Sequence, residues 1–367
     1  MKKQSLKQLI RKDILYFKGY QAVPSALDLS LNQKIPIDQI VKLDAGENLY
    51  GLPQNVLDRL SLFKGYQFYP DSKYIQLRKL IGKYANFDQK YIFVSSGGDE
   101  LIDLILRLTL EVGDVVINCP PTFGFYNFST LLNRGIVKNV LRNSDYTLNV
   151  KKIINSIDKK VKVIFICNPN NPTGQLSSLN EIRSILKTGK LVVVDETYFE
   201  FSSFTTSSLI KKYRNLIIVR SFSKWAGLAG LRLGYGIMSP YLVNKLVAIK
   251  MPYNVNSAVV VAGLSVFKNI NFFEQNIQII ISEREKLYQQ LTNFKFLKIF
   301  RSSGNFIFVQ SDKNRMNKLK RKFQLNNIAV RFYDSPLTGN AVRITIGLPN
   351  QNKKILKIFQ SIYAKKI

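Results

Sequence analysis

The runs VKVIFIC (161–167), LVVVDE (191–196) and NLIIVRS (215–221) are apolar at almost every position and lack the alternation of a sheet with one wet face. A strand of that kind has to be covered on both sides, which a parallel sheet flanked by helices achieves. The neighbouring segments agree. YIFVSS (91–96) leads into the helix-like DELIDLILRLTL (99–110), and DVVINC (114–119) and LGYGIM (233–238) recur with helical or loop material between them. The expectation is an α/β domain built on a largely parallel sheet, with its core between about residues 45 and 260. Beyond it, NIQIIISEREKLYQQLTNF (276–294) predicts a long helix, and GNFIFVQ, IAVRFY and VRITIG predict short strands. These imply a second, smaller α+β unit. The domain assignment is therefore 45–260 for the large unit, with 1–44 and 261–367 forming the small one.

Composition removes several chemistries. The 367 residues include no histidine and two cysteines, Cys119 and Cys167. A Ser-His-Asp triad, a papain-like dyad and the usual zinc sites are excluded, and no metal is expected. Proton transfer falls to Lys, Asp, Glu, Tyr or Cys. Two cysteines make no disulfide framework, no apolar run reaches transmembrane length, and MKKQSLKQLIRKDILYFKGY lacks the apolar core of a signal peptide. A reducing location is expected, the cytoplasm or an organelle interior such as a plastid. The net charge of +30 is spread over LRKLIGK, VKKIINSIDKKVKV, IKKYRN, DKNRMNKLKRKF and the terminal AKKI, on a Lys-, Ile- and Asn-rich background that suits an AT-rich genome. It reads as solvated helix faces and not as a nucleic-acid surface.

Four strand-like runs end in polar clusters: SSGGDE, CNPNNPTG, DETY and SFSK. In open α/β sheets ligands bind at the carboxyl ends of the strands, so the four clusters should meet in one place. SSGGDE opens a helix with two glycines, so its free N–H groups can hold a phosphate, although Asp99 could instead cap the helix. The Asn-Pro steps of CNPNNPTG bias the preceding asparagines toward extended geometry, which holds a side-chain amide stiffly. Asp195, at the end of an apolar strand, needs a cationic or N–H partner, for which a structural Arg or Lys would serve. Lys224 follows Ser221 and Ser223, with Arg232 downstream. A lysine amine, a carboxylate and a phosphate cup are what pyridoxal phosphate requires.

These motifs, SFSK with Arg232, NPTG and DETY, resemble the fold-type I pyridoxal-phosphate aminotransferases over nearly the whole chain. Within that group LDAGENLYGLP, YPDSKYIQLRKLIGKY, SSGGDELIDLI, PPTFGFY, CNPNNPTGQL, LAGLRLGYG and VRITIG are most similar to the histidinol-phosphate aminotransferases. The resemblance implies a seven-stranded, mostly parallel sheet in the large domain and a homodimer exchanging an amino group between a small-molecule donor and a 2-oxo acid in histidine biosynthesis. It implies that Lys224 forms the Schiff base and moves the proton, that Asp195 pairs with the ring nitrogen, and that Tyr198 and Asn171 bond the phenolic oxygen. Ser221, Ser223, Arg232 and the backbone of Gly98 and Asp99 would hold the phosphate. Phe123 would stack on the ring in place of the family's usual tyrosine. Tyr69 would reach the phosphate of the neighbouring subunit, and Arg343, Arg331 and Tyr20 would contact substrate. Asp44 and Gly46 stand where the family often has asparagines. An aromatic amino acid aminotransferase, a threonine-phosphate decarboxylase and, from another class, a basic nucleic-acid-binding protein are the alternatives.

Overall fold

A computed structural model describes residues 6–363, so the terminal AKKI cluster lies outside the described residues. In chain order the strands are β1 (Val41–Lys42), β2 (Ile92–Ser95), β3 (Val115–Asn118), β4 (Ile136–Asn139), β5 (Val161–Cys167), β6 (Leu191–Asp195), β7 (Leu216–Ser221) and β8 (Gly234–Met238), followed by β9 (Lys298–Phe300), β10 (Phe306–Gln310), β11 (Ile328–Ala329), β12 (Arg331–Ser335) and β13 (Gly339–Thr345). The central sheet has seven strands in the order β2-β8-β7-β6-β5-β3-β4. Only β8 runs antiparallel to its neighbours. The mostly parallel sheet anticipated from the apolar runs is present.

The two-sided burial of these strands shows why the runs are unbroken. Val193, Ile217, Val219 and Phe165 pack on one face with Leu101 and Ile105 of the helix Gly97–Thr109 and Leu246 of the helix Pro240–Ile249. Val192, Val194, Leu216 and Ile218 pack on the other with Leu77 and Ile81 of Ile75–Ala85 and Ile182 and Ile185 of Leu179–Leu186. Successive residues of a strand point to opposite faces, so a sheet covered twice needs an apolar side chain at every position.

The second sheet is antiparallel, in the order β12-β13-β10-β9. IAVRFY differs from the single strand expected. It divides at Val330, because Ile328–Ala329 pairs with Val41–Lys42 in a separate two-stranded parallel sheet while Arg331–Ser335 pairs with β13. The long helix spans Ile270–Thr292. KNRMNKLKRKF lies on the helix Lys313–Leu325, which buries Met316, Leu319 and Phe323 and leaves Lys318, Lys320, Arg321 and Lys322 on the solvent side. Among the described residues no helix is long and apolar enough to cross a membrane.

Candidate active site

β2, β5, β6 and β7 point the same way, so Ser95, Cys167, Asp195 and Ser221 end at one edge of the sheet. A cleft of about 590 Å³ opens there. It is lined by Tyr20, Gly98, Asp99, Phe123, Asn171, Asp195, Tyr198, Ser221, Ser223, Lys224, Arg232, Arg331 and Arg343, every candidate except Tyr69. Residues more than 300 positions apart in the chain therefore share one cavity.

Lys224 is aimed by its neighbours. Phe222 and Trp225 are fully buried on either side of it, with Trp225 stacked on Tyr84 at 5.5 Å, so the backbone between them turns the amine toward the cleft. Its Nζ donates to the Ala45 carbonyl at 2.7 Å. Burial, followed by the nearby Arg343, lowers the Lys224 pKa from 10.5 to about 8. A cationic ammonium here loses hydration and faces like charge, so the neutral, nucleophilic amine is favoured. Gly46 lies against it: a Cβ at that position would sit 3.8 Å from Lys224 Cδ and 3.7 Å from Tyr198 Oη. Gly46 has φ +68°, a left-handed conformation open to glycine and tolerated by asparagine.

That depressed pKa has a measurable consequence. In cofactor-free protein, amine-reactive labelling of Lys224 read by peptide mass spectrometry should rise with an inflection near pH 8, well below the ordinary lysine value of 10.5. An inflection for Lys224 at that ordinary value would contradict the burial argument. The folded pKa lies below the unfolded one, so the unfolded chain holds the extra proton between pH ~8 and ~10.5. The desolvation penalty is therefore fully present below pH ~8 and is relieved as the pH rises through that window.

The phosphate-binding expectation meets a specific geometry. Ser221 Oγ donates to Ser223 Oγ at 2.9 Å and accepts from the Ser223 N–H at 3.1 Å. The first turn of Gly97–Thr109 supplies free N–H groups. Asp99 is not its cap, since Ser96 holds that position. Asp99 instead accepts from Arg232 Nη2 at 2.6 Å, which places the guanidinium over the helix start. Gly97 beneath it has φ +75°, a left-handed conformation that favours glycine, and a Cβ there would come within 2.6 Å of Arg232 Nη2 and displace the guanidinium.

Of the cationic or N–H partners expected for Asp195, the structure shows an N–H donor joined by a hydroxyl. Its Oδ2 accepts from Tyr126 Oη at 2.6 Å and its Oδ1 from the Thr197 N–H at 3.0 Å. Burial pushes its pKa up, against the opposing pull of its hydrogen bonds with Thr197 and Tyr126. The buried ion pair belongs to the next residue, where Glu196 Oε2 meets Arg220 Nη2 at 2.9 Å. Asp195 is thus a buried carboxylate held by two neutral donors, ready for a cation delivered from the cleft. Tyr126 was not singled out from sequence, and PPTFGFY contains no sign that its hydroxyl would reach β6.

The small sheet contributes the cations. Arg343 is directly opposite Arg331 in the β12–β13 register, so both guanidinium groups share one face. Arg343 bonds Asn171 Oδ1 and the Asp44 carbonyl, while its Nε is buried without a partner. Asn171 spends its carbonyl on Arg343 and keeps its amide N–H groups for the cleft. Among the described residues the Arg331 side chain makes no hydrogen bond or ion pair. Two like charges side by side in a cavity call for an anion between them. Tyr198 is buried, which raises its pKa, and Phe306 packs edge-on against it at 5.1 Å.

Phe123 packs edge-on against Tyr126 at 5.5 Å, and Tyr20 packs against Phe123, Phe125 and Phe128 at 5.7–6.3 Å over the mouth of the cleft. Tyr69 is elsewhere. It is 80% exposed and stacks on Tyr253 at 4.3 Å beside the exposed Phe68 and Tyr66. The donor set fits pyridoxal phosphate: a buried acid without a cation, a glycine-floored phosphate cradle and an amine poised to be neutral.

The pattern described as aminotransferase class I and II matches residues 38–359. The chain is 42% identical to histidinol-phosphate aminotransferase of Dehalococcoides mccartyi (strain BAV1), covering 96% of this chain and 97% of that one. It is 36% identical to the chloroplastic histidinol-phosphate aminotransferase of Nicotiana tabacum, over 96% and 86%. The structure aligns with the histidinol-phosphate aminotransferase of Clostridium acetobutylicum with a TM-score of 0.81 at 25% identity, over 88% and 99%. Fold, cleft and these likenesses agree, and the chain belongs to the aminotransferase class I and II family.

Proposed function

We propose that this protein is a histidinol-phosphate aminotransferase that uses pyridoxal 5′-phosphate to move an amino group from histidinol phosphate to 2-oxoglutarate, giving imidazole acetol phosphate and glutamate. The observation that supports this best is the pair Arg331 and Arg343 on one face of the small sheet, looking into the cleft that holds Lys224. Histidinol phosphate ends in a phosphate and glutamate in a carboxylate. A planar guanidinium bonds either in two-point fashion.

When bound, pyridoxal phosphate supplies an electron sink next to the substrate carbon that loses its proton. The chain's own residues do the rest. Lys224 Nζ takes that proton and returns it. The Asp195 carboxylate would keep a proton on the ring nitrogen, Tyr198 Oη and the Asn171 amide would bond the phenolic oxygen, and the Phe123 ring would cover one face. Ser221, Ser223, Arg232 and the N–H groups of Gly98 and Asp99 hold the phosphate. Arg343 and Arg331 orient the donor, and Tyr20 closes over it.

Two further parts belong to this reading. The exposed aromatic patch around Tyr69 and Tyr253 supports a homodimer in which Tyr69 completes the neighbouring site. Sedimentation at the 42.1 kDa of a single chain would remove that part. The large unit is 45–260, and the location is the cytoplasm or a plastid-like interior, as for the chloroplastic tobacco relative.

Arg331→Ala should leave the cofactor spectrum intact and lower kcat/KM for histidinol phosphate by about 30- to 1000-fold, the ~2–4 kcal/mol of a desolvated charge contact. Steady-state kinetics on histidinol phosphate, glutamate and phenylalanine test it. Efficient phenylalanine turnover indifferent to Arg331, with histidinol phosphate inert, would point to an aromatic aminotransferase and sink the assignment.

A further inference from the structure

Loop 142–148 leaves the large unit and puts one side chain into the small sheet. Tyr146 is 6% exposed and has φ +68°. Its ring packs on Phe300 at 4.8 Å and on Phe308 at 5.8 Å, and Phe308 packs edge-on against Tyr333 at 5.9 Å. Its hydroxyl accepts from Gln310 Nε2 at 2.6 Å.

The register shows which face this is. Phe300 is opposite Phe308, Phe308 opposite Arg343, and Arg343 opposite Arg331, a single row across all four strands. Directly paired residues project from the same side of a sheet. Tyr146 therefore sits on the face that presents both guanidinium groups to the cleft.

Its other end is fastened to the central sheet. The buried Arg142 donates through Nε to the Cys119 carbonyl, just past β3, at 3.0 Å, and through Nη1 to the Tyr146 carbonyl at 3.1 Å. The turn is closed by the Tyr146 N–H to the Asn143 carbonyl at 2.9 Å and the Asn143 N–H to the Thr147 carbonyl at 3.0 Å. A tyrosine held in the left-handed region stores backbone strain that the surroundings must offset, and here three hydrogen bonds and a closed aromatic cluster do so.

We propose that Tyr146 is a positioning residue for the amino donor, a peg that sets the spacing between Arg331 and Arg343 on the small sheet and Lys224 on the large one. Tyr146 is not among the residues that line the cleft. A ligand held at two points loses affinity when the spacing of its anchors must be readjusted on binding, since that ordering is subtracted from the contact energy. The inference rests on the aminotransferase reading and not on which donor is used.

The test compares holoenzyme variants in two assays. Succinate, a dicarboxylate with no amine to transfer, reports binding by titration calorimetry without turnover. L-Glutamate, mixed in single turnover while the cofactor's absorbance is followed, gives an apparent dissociation constant and a maximal rate. Tyr146→Ala should weaken both ligands at least tenfold while the maximal rate and the cofactor spectrum stay within about threefold of wild type. Tyr146→Phe should restore both to within about threefold, since the ring supplies most of the contact. Tyr146→Leu, which keeps apolar bulk for folding, should behave like the alanine variant. A folded Ala or Leu variant that binds succinate like wild type, or that loses maximal rate with binding unchanged, overturns the proposal. Failure of wild type to convert glutamate, with the succinate difference intact, counts against the donor reading and leaves the peg standing.

Discussion

Lys224→Ala is expected to lower amino transfer by about four orders of magnitude, the upper end of what one proton-transferring side chain contributes. The size follows from the absence of a substitute. The chain has no histidine. Most other titratable groups lining the cleft are poorly suited to act as bases near neutrality: burial raises the pKa of Tyr198 and Tyr20 and pushes the Cys167 thiol up to about 12, Asp195 is already committed to two donors, and Asp99 and Asp44 are ion-paired with Arg232 and Lys42. Folding should be little affected, because the native state gains nothing from burying an amine whose charged form is disfavoured there. Steady-state kinetics beside thermal unfolding check this. A variant within tenfold of wild type would mean that another group moves the proton, and partial recovery of rate with added small amines would place the defect at the missing Nζ.

Asp195→Asn should cost about three orders of magnitude while the protein still folds and retains cofactor. The amide is isosteric with the carboxylate, and its surroundings can accept it: Oδ1 still receives the Thr197 N–H at 3.0 Å, and the Tyr126 hydroxyl can turn from donor to acceptor for the new N–H₂. What the amide cannot do is hold a proton on a pyridine nitrogen in a dry pocket. Removing one preorganised electrostatic contact from the reacting centre costs about 10²–10³ in rate, and a full charge at a buried site belongs at the top of that range. The decisive comparison is kcat against cofactor affinity. Near-normal turnover would make Asp195 a structural residue and move the search to Glu196, which the Arg220 pair already neutralises.

Several parts of the site could be read directly from the chain, and they are the parts governed by local rules. Unbroken apolar runs mark strands covered on both faces, and the polar residues that end them must lie at the carboxyl edge. Ser221, Ser223 and Lys224 follow such a run, and Asp195 ends another.

The rest depends on contacts between residues far apart in the chain. No spacing rule connects Tyr126 with Asp195, and a carboxylate at a strand end calls for a cationic or N–H partner without pointing to the distant hydroxyl it also receives. IAVRFY looks like a single strand because Ile, Val, Phe and Tyr favour strands; its division at Val330 is decided by which neighbour, β1 or β13, offers free backbone groups. Tyr146 is one tyrosine among 18 in the sequence. Only the register that aligns Phe300, Phe308, Arg343 and Arg331 shows that it shares their face. The sequence by itself determined the layered α/β architecture and the residues at its functional edge, because strand burial, helix initiation and glycine conformation are set by a residue and its near neighbours. Only the tertiary structure decided which donors hold Asp195, how the two arginines stand together and that they share one cleft with Lys224, because those depend on cross-strand register and packing between units, where side chains hundreds of positions apart compete for the same partners.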